Sequence, residues 1–126
     1  MTNTFTLTNH GLIRILQYGV NGSYFTLDSD TSAESRTATA PAGELNTYGA
    51  GRQAAGWTDL SAGSTISAKL KTDYVFTGAL GINAICLCSS ATAGSNMMGR
   101  GKLASVQNVG SQDTVTVELT LNINQV

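Results

Sequence analysis

The chain has 126 residues and a mass of 13.1 kDa, and seven Lys and Arg against eight Asp and Glu give a formal net charge of −1. That length suits one domain, 1–126, burying roughly two-thirds of its unfolded surface, and 41% apolar residues argue against disorder. The cations are spread from Arg14 to Lys102 rather than clustered, so nucleic acid is not an expected partner.

Residues 1–9 alternate polar and apolar types, with a strand expected at Phe5–Thr8, and read as an N-terminal arm able to add to a neighbour's sheet edge. They contain neither the basic nor the apolar region of a secretory leader, and no apolar run reaches the eighteen or so residues that span a bilayer. No membrane association is expected. Asn9 can cap a short helix that carries Leu12, Ile15 and Leu16 on one face and ends at Gly19. A strand follows at Tyr24–Leu27.

Residues 28–43 show no period and hold the single proline, Pro41, which marks a long loop. Beyond it, Glu44–Leu60 sets Tyr48, Arg52 and Trp57 among small residues. Its glycines permit either a close backbone approach or local flexibility.

The strongest strand signals come afterwards. Ile66, Ala68, Leu70, Tyr74 and Phe76 share one face of a strand, with Lys69, Lys71 and Asp73 on the other. Leu80–Cys88 is apolar on both faces, as in a strand covered from both sides. Met97–Val106 is a further strand with its two methionines on opposite faces, so that one is exposed. Thr114–Ile123 alternates most regularly, through Val115, Val117, Leu119, Leu121 and Ile123. Turns are expected at Asn21-Gly22, Ala62-Gly63-Ser64, Thr92–Asn96 and Gly110-Ser111. Short strands at such spacing predict an all-β fold, a single β-sandwich or jelly-roll-like domain with one short N-terminal helix.

Chemistry-bearing residues are sparse. Asp28, Asp30 and Glu34 give three carboxylates in a short span, but Ala33 and Thr39 stand where a calcium-binding EF-hand loop needs glycine and glutamate. A solvated acidic loop is the expectation. His10 lies beside a helix N-cap with no nucleophile motif or orienting carboxylate, so no catalysis and no cofactor are expected. Gly49-Ala-Gly51-Arg52 and Gly99-Arg-Gly101-Lys102 lack the strand–glycine–helix context of a phosphate loop and read as turns and strand ends. Tyr24, Tyr48, Trp57 and Tyr74 can be read as a sugar-stacking groove or as core, and core is the commoner outcome. Cys86 and Cys88, two apart on one strand, have roughly parallel Cβ vectors, poor geometry for a bridge. Buried free thiols, and folding in a reducing compartment, are expected; zinc would need more ligands.

One longer pattern remains. Leu7-Thr-Asn-His-Gly-Leu12 running into an apolar helical turn is followed by Thr31-Ser-Ala-Glu-Ser35, Gly43-Glu-Leu45 and Gly51-Arg-Gln53. Then come Phe76-Thr-Gly-Ala-Leu-Gly-Ile-Asn-Ala-Ile-Cys-Leu-Cys88, Met98-Gly-Arg-Gly-Lys-Leu103, Ser111-Gln-Asp-Thr114 and an alternating last strand. This order resembles the small β-rich virion structural proteins of tailed bacteriophages, over nearly the whole chain. Those usually carry Glu-Val-Gly-Leu where this chain has Ala84-Ile-Cys-Leu87, so no role of that glutamate carries over. The resemblance implies a non-enzymatic capsid cement or decoration protein, made in the host cytoplasm and bound to the virion's outer shell. Its partners would be the major capsid protein and its own copies, as a homotrimer. The contact surface it suggests comprises Phe5, Leu7, Asp28, Asp30, Glu34, Arg36, Tyr48, Arg52 and Trp57. A tail, neck or baseplate protein and a carbohydrate-binding receptor module are the competing readings.

Overall fold

The computed structural model describes residues 21–63 and 65–124, together with Gln17 and Gly19. The predicted strand at Phe5–Thr8 lies outside the described residues, as does nearly all of the helix expected after Asn9.

Among the described residues, seven strands form two antiparallel sheets. They are β1 (Tyr24–Asp28), β2 (Gln53–Ala54), β3 (Gly56–Asp59), β4 (Thr65–Val75), β5 (Leu80–Cys88), β6 (Met97–Val109) and β7 (Thr114–Asn124). One sheet has the order β2-β1-β5-β6 and the other β3-β4-β7. The all-β sandwich expected from the alternation is the observed architecture.

Register follows from which residues must be dry. β4 pairs with β7 along its whole length, setting Ala68 against Leu121, Leu70 against Leu119 and Tyr74 against Val115. A slip of one residue would turn that apolar row outward. Facing it, β1 and β5 set Phe25 against Leu87 and Leu27 against Ile85. Between the sheets, Phe25, Leu27, Leu70, Tyr74, Phe76, Ile82 and Val117 are buried together. Tyr74 stacks on Phe76 at 6.0 Å between ring centroids and satisfies its buried hydroxyl by donating to the Phe25 carbonyl at 2.9 Å.

The segment 44–60 is ordered rather than loose. It supplies β2 and β3, which the sequence pattern does not reveal because neither is long enough to show a period. Between them the chain changes sheet at buried Ala55, whose N–H donates to the Ser23 carbonyl at 2.9 Å. Trp57 on β3 pairs with Leu70, turns inward and packs partly buried against the core.

β6 extends three residues beyond the expected Val106, to Val109. Its pairing with β5 jumps from Ala84↔Lys102 to Ile82↔Gln107, so Leu103–Val106 bulge against the single Asn83. The β6–β7 turn closes through Asp113, which accepts from the Gly110 N–H at 2.7 Å, with Gln112 in the left-handed region at φ 70°.

Candidate functional site

On β1 and β5 the residues between the core positions face away from the other sheet. Thr26 pairs with Cys86 and Asp28 with Ala84, and all four are fully buried, as is Cys88. Their cover is the chain from 29 to 44, which lies over this outer face and forms a roof, while 45–50 turns away to the core and to the end of β4, where the Thr77 N–H donates to the Tyr48 carbonyl. Leu80–Cys88 is apolar on both sides for that reason, as expected of a doubly covered strand.

Two arginines fasten the roof. Arg100 on β6 donates from Nε to Asp28 Oδ2 at 3.4 Å and from its other nitrogens to the carbonyls of Ser32 at 2.9 Å and Asp30 at 2.8 Å. Asp28 Oδ1 in turn accepts from the backbone N–H groups of Asp30 at 2.8 Å and Gly43 at 3.0 Å, joining the two ends of the loop. The second clamp is a forked pair, Arg52 Nε and Nη2 on the two Glu44 oxygens at 3.0 and 2.8 Å. Arg52 also donates to the carbonyls of Ser90 and Ser95, and Glu44 accepts from the Gly94 N–H at 2.8 Å. This geometry suits guanidinium better than ammonium, since its fixed fork meets a carboxylate and two carbonyls at once. The Arg52 bond holds the Glu44 carboxyl below its ordinary value despite burial, and the same bond raises Arg52.

The clamps change the account of the acidic segment. Asp28 is not solvated: it is 0% exposed, between Arg100 and two N–H donors. Glu34 accepts from the Lys102 N–H on β6 at 2.7 Å, and Thr39 accepts from the Met97 N–H at 2.9 Å. Among the described residues no three His, Cys, Asp or Glu converge to hold a metal ion.

The residues expected at a contact surface therefore separate. Asp28 and Arg52 are withdrawn from the surface, the Arg52 side chain being 2% exposed, because each charge is neutralised inside a clamp. Trp57 faces the core. Asp30, Glu34 and Arg36 remain on the outside of the roof, and Tyr48, 54% exposed, lies apart from them at the β4–β5 turn. Phe5 and Leu7 lie outside the described residues, as does His10. The four aromatic residues do not share one platform, since Tyr74 is fully buried, Trp57 is turned inward and Tyr48 sits over Gly78.

Cys86 and Cys88 are free and buried, as expected. Cys88 Sγ lies 3.5 Å from Thr26 Oγ1, and Cys86 Sγ lies 4.0 Å from Asp28 Oδ2. Burial, with the Asp28 charge adding to it, pushes the Cys86 thiol up to about 12. Such a thiol is a packing group rather than a nucleophile.

Gly99 and Gly101 belong to strand β6, not to a phosphate loop; the Arg100 side chain between them reaches the roof, and the Lys102 N–H bonds to Glu34 there. Met98 is exposed and Met97 partly so, in line with the expected split. Across the open edge between β6 and β7 the structure holds a cleft that the sequence reading missed. The signal was present in the two glycines alternating with two cations, which leave the inner side of a strand bare. Comparison of the chain with protein-family models, with curated proteins and with solved structures finds no match.

Proposed function

We propose that this protein is a structural component of a tailed-bacteriophage-type virion, specifically a capsid cement or decoration protein acting as a homotrimer on the outer shell. The order of sequence motifs supports the reading. The observation that carries it is the clamped roof: a polar outer surface bearing Asp30, Glu34 and Arg36, fastened by two buried arginines to the sandwich. Holding the surface in one conformation beforehand lowers the entropy lost on docking. Three copies of a modest contact, linked in one trimer, then bind far more tightly than one. A protein that binds only the assembled lattice stabilises it by mass action.

The decisive experiment is the copy number of this chain in purified particles, by quantitative mass spectrometry against the major capsid protein. A ratio near one to one is expected. A few per cent or less would move the protein to the tail, neck or baseplate, and absence from particles would overturn the structural role. The sugar-binding reading gains nothing from an inward-facing Trp57.

A further inference from the structure

The roof leaves the sheet and returns to it at one place. Asp28 and Glu44 face each other as an isolated bridge, the Ser29 N–H donates to the Gly43 carbonyl and the Leu45 N–H to the Leu27 carbonyl, both at 2.9 Å. Ends tied in this way define an Ω-loop, and such a loop can lift without pulling on the strands it joins. From Ser29 to Gly43 its apolar side chains are four alanines and Pro41, so the segment has little apolar surface to bury. What holds the span down is polar. Arg100 donates to the Asp30 and Ser32 carbonyls, the Lys102 N–H to the Glu34 carboxylate, the Met97 N–H to the Thr39 carbonyl and the Asn83 amide to the Ser29 carbonyl at 2.9 Å. Each such bond is exchanged for one to water on opening, at a modest net cost. A segment of this kind opens at a lower free energy than the whole domain unfolds.

The two arginines differ in what they hold. Arg52 grips Glu44 at the feet of the loop and joins them to the β5–β6 connection through the carbonyls of Ser90 and Ser95. Arg100 grips the span. Beneath that span Thr26, Cys86 and Arg100 stand in one row across β1, β5 and β6. Cys86 is 0% exposed and its Sγ lies 4.0 Å from Asp28 Oδ2, which leaves no room for a substituent on the sulfur while the roof is down.

We propose that the roof is a hinged cover over a thiol-modification site: Arg52 keeps its feet in place while the grip of Arg100 lets go, and Cys86 reacts with a small-molecule disulfide only from the open state. Once uncovered, the thiol gives its proton to water and the thiolate attacks one sulfur of the disulfide. The new S–S bond forms as the old one breaks, Cys86 is oxidised, and the other half of the reagent leaves reduced, as a thiol. The adduct is too large for the closed face, so it keeps the roof up until a thiol reductant removes it. The closed form is the ground state, which leaves the roof surface available for docking as described above. The proposal goes beyond the virion reading and holds whether or not that reading does.

The test is labelling of Cys86 in the full chain by an aromatic disulfide, resolved from Cys88 by peptide mass and followed against urea below the unfolding transition. The rate is expected to stay flat at low urea and to exceed by about tenfold or more the rate that global unfolding permits. Labelling that rises with urea as steeply as global unfolding would overturn the proposal. Glu34→Ala removes the acceptor of the Lys102 N–H, and it should speed labelling about tenfold while leaving it flat with urea. Equal rates in the two proteins would overturn the proposal as well. Amide exchange by NMR on the adduct supplies the last part. The Met97 and Lys102 amides, which bond to the roof, should lose protection in the adduct and regain it after reduction, while the amides that join β4 to β7 stay protected throughout. An adduct that leaves Met97 and Lys102 protected, or that also exposes the β4–β7 amides, would overturn the hinged cover.

Discussion

Glu44 and Gly49 show how individual residues hold the chain between β1 and β2 in place. The Glu44 carboxyl is 6% exposed and takes both prongs of Arg52, so its ionised form is favoured in the folded chain over the unfolded one. A carboxyl lowered on folding stabilises the fold above its unfolded value and ceases to do so as pH falls through the lower folded value. The stabilisation is therefore constant near neutrality and is lost below the ordinary value of 4.5. Denaturant unfolding measured as a function of pH should show that decline in the native chain and a shallower one in Glu44→Gln. Gly49 presents a steric case. It sits at φ +85°, and a Cβ there would run into the Val75 carbonyl, whereas Gly63 at φ +59° faces open space. Both positions favour glycine, but only one is also a close approach. Gly49→Ala is expected to cost about 2–4 kcal/mol and Gly63→Ala about 1 kcal/mol in the same unfolding assay. The sequence marked both as glycines in turn-rich stretches; the difference lies in a carbonyl contributed by β4.

At the level of elements, the roof and β5 depend on each other. β5 is apolar on its outer face because the roof keeps water off Thr26, Cys86 and Cys88. The roof in turn stays down because Arg100 reaches across from β6 to Asp28, Asp30 and Ser32. Arg100→Met removes one partner of a buried pair and leaves the Asp28 charge without its counter-ion, at an expected cost of about 3–5 kcal/mol. It should also quicken labelling of Cys86 and Cys88 by a thiol reagent under native conditions. In the unaltered chain both thiols should label slowly until denaturant is added. Rapid labelling of the native chain would contradict the burial of these groups. Legibility followed length here. β4, β5 and β7 run nine to eleven residues and could be read from their pattern. β2 and β3, of two and four residues, exist because β1 and β4 offer them edges. The bulge at Leu103–Val106 was equally hidden, being a property of pairing with β5 rather than of β6 alone.

For the molecule as a whole, the proposed decoration role adds an expectation about size. Light scattering of the purified protein should give three chain masses, and a trimer should persist at the concentrations at which it coats particles. A monomer at all concentrations would remove the linked contacts on which the clamping mechanism depends. The roof surface and the open side of the sandwich are separate features, so they can be probed independently. Charge reversal at Glu34 or Arg36 bears on the first.

The amino-acid sequence alone specified the fold class, most strand positions and the burial of the two thiols, because alternation and two-sided apolarity record directly which faces must be dry. It did not specify what makes each face dry. Asp28 and Arg52 read as surface charges, since their partners Arg100 and Glu44 lie in other elements and only folding brings the pairs together. Gly99 and Gly101 read as a turn or strand end, since a missing side chain becomes a cleft only when an opposite sheet stands across from it. Local pattern encodes a demand for cover, and the packing of distant segments determines what meets it.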